Sequence, residues 1–211
     1  MNLPDLDLQF VYARIAWAVV LAAVVLSLFF RRGGNRGMVA SIAVVLAAAQ
    51  WLPAPWSPAY WLGLAFQSPS GLTTALCAVI LRNQWTGRSD TRVLPTALAA
   101  VLTAAGALLY LDATGWIAQG IYFLGFGPYG APVAALVIGA LCVVAVVRGA
   151  AVVTAHAVFA AVALFMLLRL PTGNLWDALL DPFLWVASLV VCIQALRRRR
   201  GARTQLPGEP G

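Results

Sequence analysis

Three groups of residues have the types and spacing to do chemistry. The first is Gln67-Ser68-Pro69-Ser70-Gly71, followed by Thr73 and Thr74, inside an apolar stretch. Proline has no N–H, so Pro69 interrupts a helix and frees the carbonyl of Ala65, and Gly71 loosens the helix further. The side chains of Gln67, Ser68, Ser70, Thr73 and Thr74 set donors and acceptors beside those freed backbone groups. Helices broken in this way form substrate and ion sites in transporters. The plainer alternative is a proline kink whose polar groups bond neighbouring backbone.

The second group is charged: Arg14, Arg169, Asp177 and Asp181, with Asp112 as an outlying member. Asp177 and Asp181 are four residues apart, which puts them on one face of a helix. Asn174 ahead of Asp177 reads as an N-cap with an acid in the first turn, where the helix dipole favours it. Partly buried carboxylates beside arginine suit an entry point for a proton or cation. A helix cap with an interfacial ion pair is the simpler account.

The third group is Cys77, Cys142, Cys192 and His156. The thiols lie at similar depths in three apolar runs, and His156 enters a fourth from the same side. Thiolates and an imidazole at one depth could bind Zn²⁺ or Cu⁺. No CxxC or other metal-ligand spacing supports this, and buried cysteines ordinarily behave as small apolar residues. We therefore expect no metal and no other cofactor. A single histidine excludes a bis-histidine haem within the chain. No HExxH, Ser-His-Asp or paired-acid motif points to a hydrolase.

These groups need elements to hold them, and the composition says what kind. The chain of 211 residues is 62% hydrophobic and 10% charged, against about 25% charged in a soluble domain. Mean hydropathy is +0.87. Seven apolar runs stand out, at 10–30, 38–52, 59–81, 93–111, 131–147, 150–170 and 175–196. They do not alternate apolar with polar, so they read as helices rather than barrel strands. The expectation is an all-α integral membrane protein, a bundle of about seven transmembrane helices in one domain over 1–200, with 201–211 a disordered basic tail.

Orientation follows from the arginines, which supply all 14 basic residues. Arg31, Arg32 and Arg36 follow the first run, and Arg82, Arg88 and Arg92 the third. Arg148 follows the fifth, and arginines 197–200 with Arg203 follow the last. Those twelve share one side, which the positive-inside rule makes cytoplasmic. Asp5, Asp7, Asp112, Asp177 and Asp181 fall on the other side. The N-terminus is then outside and the C-terminus inside, in a bacterial inner (plasma) membrane. The first run, acidic before and basic after, has the reverse of a cleavable signal's charge order and is expected to remain as a helix. The net charge of +7 is thus topology, and no nucleic-acid partner is expected. The absence of lysine excludes a Schiff-base pigment.

The segment 114–126 is too short to cross, and a crossing would flip every later arginine cluster. It reads as a short interfacial or re-entrant helix on the outer side, N-capped by Thr114. Tryptophans 51, 56, 61, 116 and 176 share that side, as an aromatic belt at the headgroups or a platform for a lipid, sugar or partner helix. The function expected is a small transporter or permease-like protein, with a mid-membrane polar site at the broken third helix. The alternatives are a non-catalytic subunit or assembly factor of a larger complex and, behind it, an intramembrane lipid-modifying enzyme. The expected partners are the lipid bilayer and either further copies of the chain or other membrane subunits.

Overall fold

The computed structural model describes residues 3–30, 35–87 and 93–204, with side chains as far as residue 201. Every regular element among them is helical: α1 Leu6–Phe29, α2 Arg36–Gln50, α3 Pro58–Phe66, α4 Gly71–Thr86, α5 Thr96–Ala113, α6 Ile121–Leu124, α7 Gly130–Val147, α8 Val152–Leu168, α9 Leu175–Leu179 and α10 Pro182–Thr204. Three helices, α1, α5 and α7, are long and apolar enough to cross a membrane, and α2 and α8 are shorter apolar helices.

Two of the expected runs are divided. The run 59–81 is two helices, α3 and α4, separated at 67–70. A kinked single helix would bend but keep helical dihedrals through the kink, whereas here Gln67 turns to φ 60, ψ −139 and the ladder stops. The run 175–196 is also two helices, α9 and α10, parted by Leu180 and Asp181. Pro182 cannot donate to the ladder of α9, and its fixed φ suits the first turn of a new helix. Asp177 and Asp181 therefore do not share one helix face. Thr114 does not begin the short outer helix. It ends α5, its hydroxyl donating to the Tyr110 carbonyl at 2.7 Å, and the short helix is confined to α6. At the far end of the chain α10 continues to Thr204, so 201–204 is helical. The rest of the expected disordered tail lies outside the described residues, as do Arg31, Arg32, Arg88 and Arg92.

One of the divided helices occupies the middle of the packing. Helix α4 touches α1, α2, α8 and α9, while α5 pairs with α10 and α7 with α8. The core gathers Leu72 and Leu76 of α4, Leu102 and Leu109 of α5, Ala157, Ala161 and Phe165 of α8, Leu175 and Ala178 of α9, and Leu184 of α10. Small residues permit the close approach. A Cβ on Gly71 would stand 3.1 Å from the Ala178 carbonyl and 3.3 Å from Ala161 Cα, so α4 starts against the backbones of α8 and α9. A Cβ on Gly106 would strike the Trp185 indole and Leu180, which fixes α5 against the start of α10.

Candidate functional site

Both breaks meet at Asp181. Its Oδ1 accepts from the Leu184 N–H at 2.8 Å, which caps α10. Its Oδ2 accepts from the Ser70 N–H at 2.8 Å, at the start of α4. One carboxylate thus satisfies backbone donors at two helix N-termini, where the dipoles favour negative charge. The hydroxyl of Ser70 completes the cap of α4. It accepts from the Thr73 N–H at 3.0 Å and donates to Thr73 Oγ1 at 2.9 Å. Ser70, Thr73 and Asp181 are all buried. A hydrogen bond to a charged group contributes about 1.5–3 kcal/mol, so the two bonds of Asp181 together hold the breaks with about 3 kcal/mol or more.

Helix α1 satisfies two of the carbonyls at the first break. The Tyr12 hydroxyl donates to the Pro69 carbonyl at 2.8 Å and lies 3.3 Å from Thr74 Oγ1. Thr74 in turn donates to the Ser70 carbonyl at 2.9 Å. The Trp17 indole donates to the Gln67 carbonyl at 3.0 Å. The Gln67 and Pro69 carbonyls are thus taken by α1, and the Ser70 N–H by Asp181.

The other side of the break is open. A cleft of about 690 Å³ runs between the first half of α1 and α3, bounded by Gln9, Phe10, Arg14, Tyr60, Gln67 and Ser68 among others. Gln67 reaches it from a backbone conformation with positive φ. An L side chain held there costs about 1–3 kcal/mol, and such strain gathers at functional sites. The Gln67 side chain is exposed and Ser68 is half-buried. Arg14 is half-buried too, its guanidinium 5.1 Å from the centre of the Trp51 ring.

The expected charge cluster does not assemble. Among the described residues no ion pair joins Arg14 or Arg169 to Asp177 or Asp181. Arg169 lies over Phe165 at 5.0 Å. Asp177 instead accepts from hydroxyls, Thr172 at 2.6 Å and Tyr122 at 3.0 and 3.1 Å. Burial first, and then the Asp177 charge, push the Tyr122 hydroxyl up to about 12, so it stays a donor. Tyr122 also donates its N–H to Asp112 at 2.7 Å, and Asp112 takes the Gln119 and Gly120 N–H groups at 2.7 and 2.9 Å. Asp112 folds the 114–120 loop, and Tyr122 ties that loop to Asp177. Asn174 caps α9 as expected, accepting from the Trp176 N–H at 2.9 Å. The Trp176 indole fastens α6 through the Ile121 carbonyl at 3.0 Å.

The sulfur residues are dispersed. Cys192 lies 3.7 Å from Thr103 Oγ1. Cys142 and His156 face one small cavity, with His156 Nδ1 2.7 Å from the Val152 carbonyl. Cys77 sits apart on α4. Among the described residues, no three His, Cys, Asp or Glu side chains gather closely enough to hold a metal ion.

Of the sequence candidates, then, Ser70, Thr73, Thr74 and Asp181 come together in a buried clasp, and Gln67, Ser68 and Arg14 in an open cleft. Arg169 and Asp177 belong to neither. Tyr12, Trp17 and Thr172 carry no mark in the sequence pattern, and Tyr122 reads there only as one of the outer aromatics. Their parts depend on partners 5 to 62 residues away, and a lone aromatic in an apolar run carries no local sign of such a partner. No family model matches the chain, and no curated protein or solved structure matches it.

Proposed function

We propose that the chain is a small multi-pass protein of a bacterial inner membrane, permease-like, with its N-terminus outside and its C-terminus in the cytoplasm. In this reading α1, α2, α5, α7 and α8 cross whole, and the α3–α4 and α9–α10 pairs each make one discontinuous crossing, about seven in all. The arginine count along the sequence supports the orientation, and the exposed Trp51, Trp56, Trp61 and Trp116 suit the outer headgroups. From Gly71 to Thr86 is 16 residues, or about 24 Å of helix. With a hydrocarbon layer of about 30 Å, the clasp then sits in its outer part rather than at the midplane.

One observation carries the transport reading: an open cleft whose wall is a strained, broken helix, with Gln67 and Ser68 facing the space. Broken helices and ligand clefts coincide in transporters because irregular backbone is tolerated where it lines a cavity. The clasp supports the same reading, since it keeps the break rigid while leaving its outer side free.

Native mass spectrometry after gentle solubilisation from the source membrane tests this. The expected result is a discrete small-molecule adduct on a lone chain or homo-oligomer, lost in Gln67→Ala while the variant remains folded. A constant mass from another protein, with no small-molecule adduct, makes the chain a subunit of a larger complex instead. An adduct retained in Gln67→Ala overturns the assignment of the site.

A further inference from the structure

We infer that the cleft between α1 and α3 takes a single-chain amphiphile with an anionic head, its acid group on Arg14 and its chain along Leu6, Phe10 and Leu64. This rests on the reading of the cleft as a solute site. Arg14 is the ninth residue of α1, about 12 Å along the helix axis. Its neighbours in the sequence are apolar, and its guanidinium is half-buried against the Trp51 ring. The carboxylates that would ordinarily neutralise it are engaged elsewhere: Asp177 by Thr172 and Tyr122, Asp181 by Ser70 and Leu184. A charge at such depth favours any anion that can reach it. The cleft offers the way in, because Arg14 is one of its walls.

The rest of the lining narrows the class. Guanidinium binds a carboxylate or phosphate through two parallel N–H bonds. Gln67 and Ser68 add neutral donors and acceptors on the facing wall. Leu6, Phe10 and Leu64 make much of the remaining surface apolar. A small hydrophilic anion would leave those walls wet, and a neutral apolar solute would leave Arg14 without a counter-charge. The volume of about 690 Å³ lies within the range of clefts for one small ligand, about 300–1,000 Å³. That favours one chain over the two-chain lipids of the bilayer.

The full-length protein in nanodiscs is photolabelled with a diazirine derivative of dodecanoic acid and, separately, with the corresponding dodecanol. The labelled peptides are then mapped. The acid is expected to label residues 6–14 and 60–68 about tenfold more than the alcohol, the effect of a charge-assisted bond. Arg14→Gln should remove that preference and Arg14→Lys keep most of it. Unlabelled dodecanoate should compete, and phosphatidylglycerol should not. If Arg14→Gln does not fold, the acid-to-alcohol ratio in the wild type decides. Equal cleft labelling by acid and alcohol overturns the anionic class while leaving the cleft as a solute site. Competition by phosphatidylglycerol overturns the single chain. Labelling of the cleft by neither probe overturns both this inference and the site beneath it.

Discussion

The break at 67–70 has two sides, and they differ in how their polar groups are satisfied. On the inner side Ser70, Thr73, Thr74 and Asp181 bond one another and the Tyr12 hydroxyl, and the first three of those and Asp181 are largely or wholly shielded from solvent. On the outer side Gln67, Ser68 and Arg14 face an open cleft, one of them on strained backbone. Residues of similar polarity, within seven positions of one another along α3 and α4, therefore do different work. A saturated network rigidifies, because any removal leaves a buried group unpaired. An unsaturated set at a cleft can exchange water for a ligand at little structural cost.

The largest expected effect is at the point where the two breaks meet. Asp181→Ala leaves the Ser70 and Leu184 N–H groups without their acceptor and should lower stability by about 3 kcal/mol or more. Loss of folded protein in size-exclusion chromatography, or a large fall in the thermal midpoint, checks this. Wild-type stability in Asp181→Ala would reduce the clasp to an incidental contact. The next effect is smaller. Tyr12→Phe removes the bond to the Pro69 carbonyl and should cost about 1–2 kcal/mol, without changing which small molecule co-purifies. A Tyr12→Phe protein of normal stability that has lost its adduct would move Tyr12 to the binding side and blur the contrast.

The sequence marks the first break well and the second poorly. Pro69 and Gly71 within a polar run announce an interruption, and they indicate which residues surround it. What local pattern cannot supply is the direction each side chain takes once the helix stops. Ser70 is buried, its hydroxyl on Thr73 and its N–H on a carboxylate 111 positions away, while the Gln67 side chain turns to the cleft. The second break had a signal in Asp181-Pro182, an N-cap residue followed by a first-turn proline. The long apolar run around it masks that signal, since mean hydropathy does not register one unpaired turn. The charge cluster fails for a related reason. Opposite charges at one depth invite pairing, yet Asp177 finds hydroxyls and Asp181 finds backbone donors. Helices α1, α5 and α7 are legible because length and apolar content alone decide whether a helix can cross a membrane.

The most direct test of the two-sided break is the thermal unfolding midpoint of Gln67→Gly against wild type in one detergent. Glycine relieves about 1–3 kcal/mol of strain at φ 60 and gives back about 0.5–1 kcal/mol through the freer unfolded chain. The balance is a gain of about 1 kcal/mol, or about 2–4 °C for a chain of this size. A midpoint raised by that amount means that Gln67 stands on the open side and is kept there at the expense of stability. A midpoint lowered by a similar amount means that its side chain belongs to the structural network, and the separation of clasp from cleft does not hold.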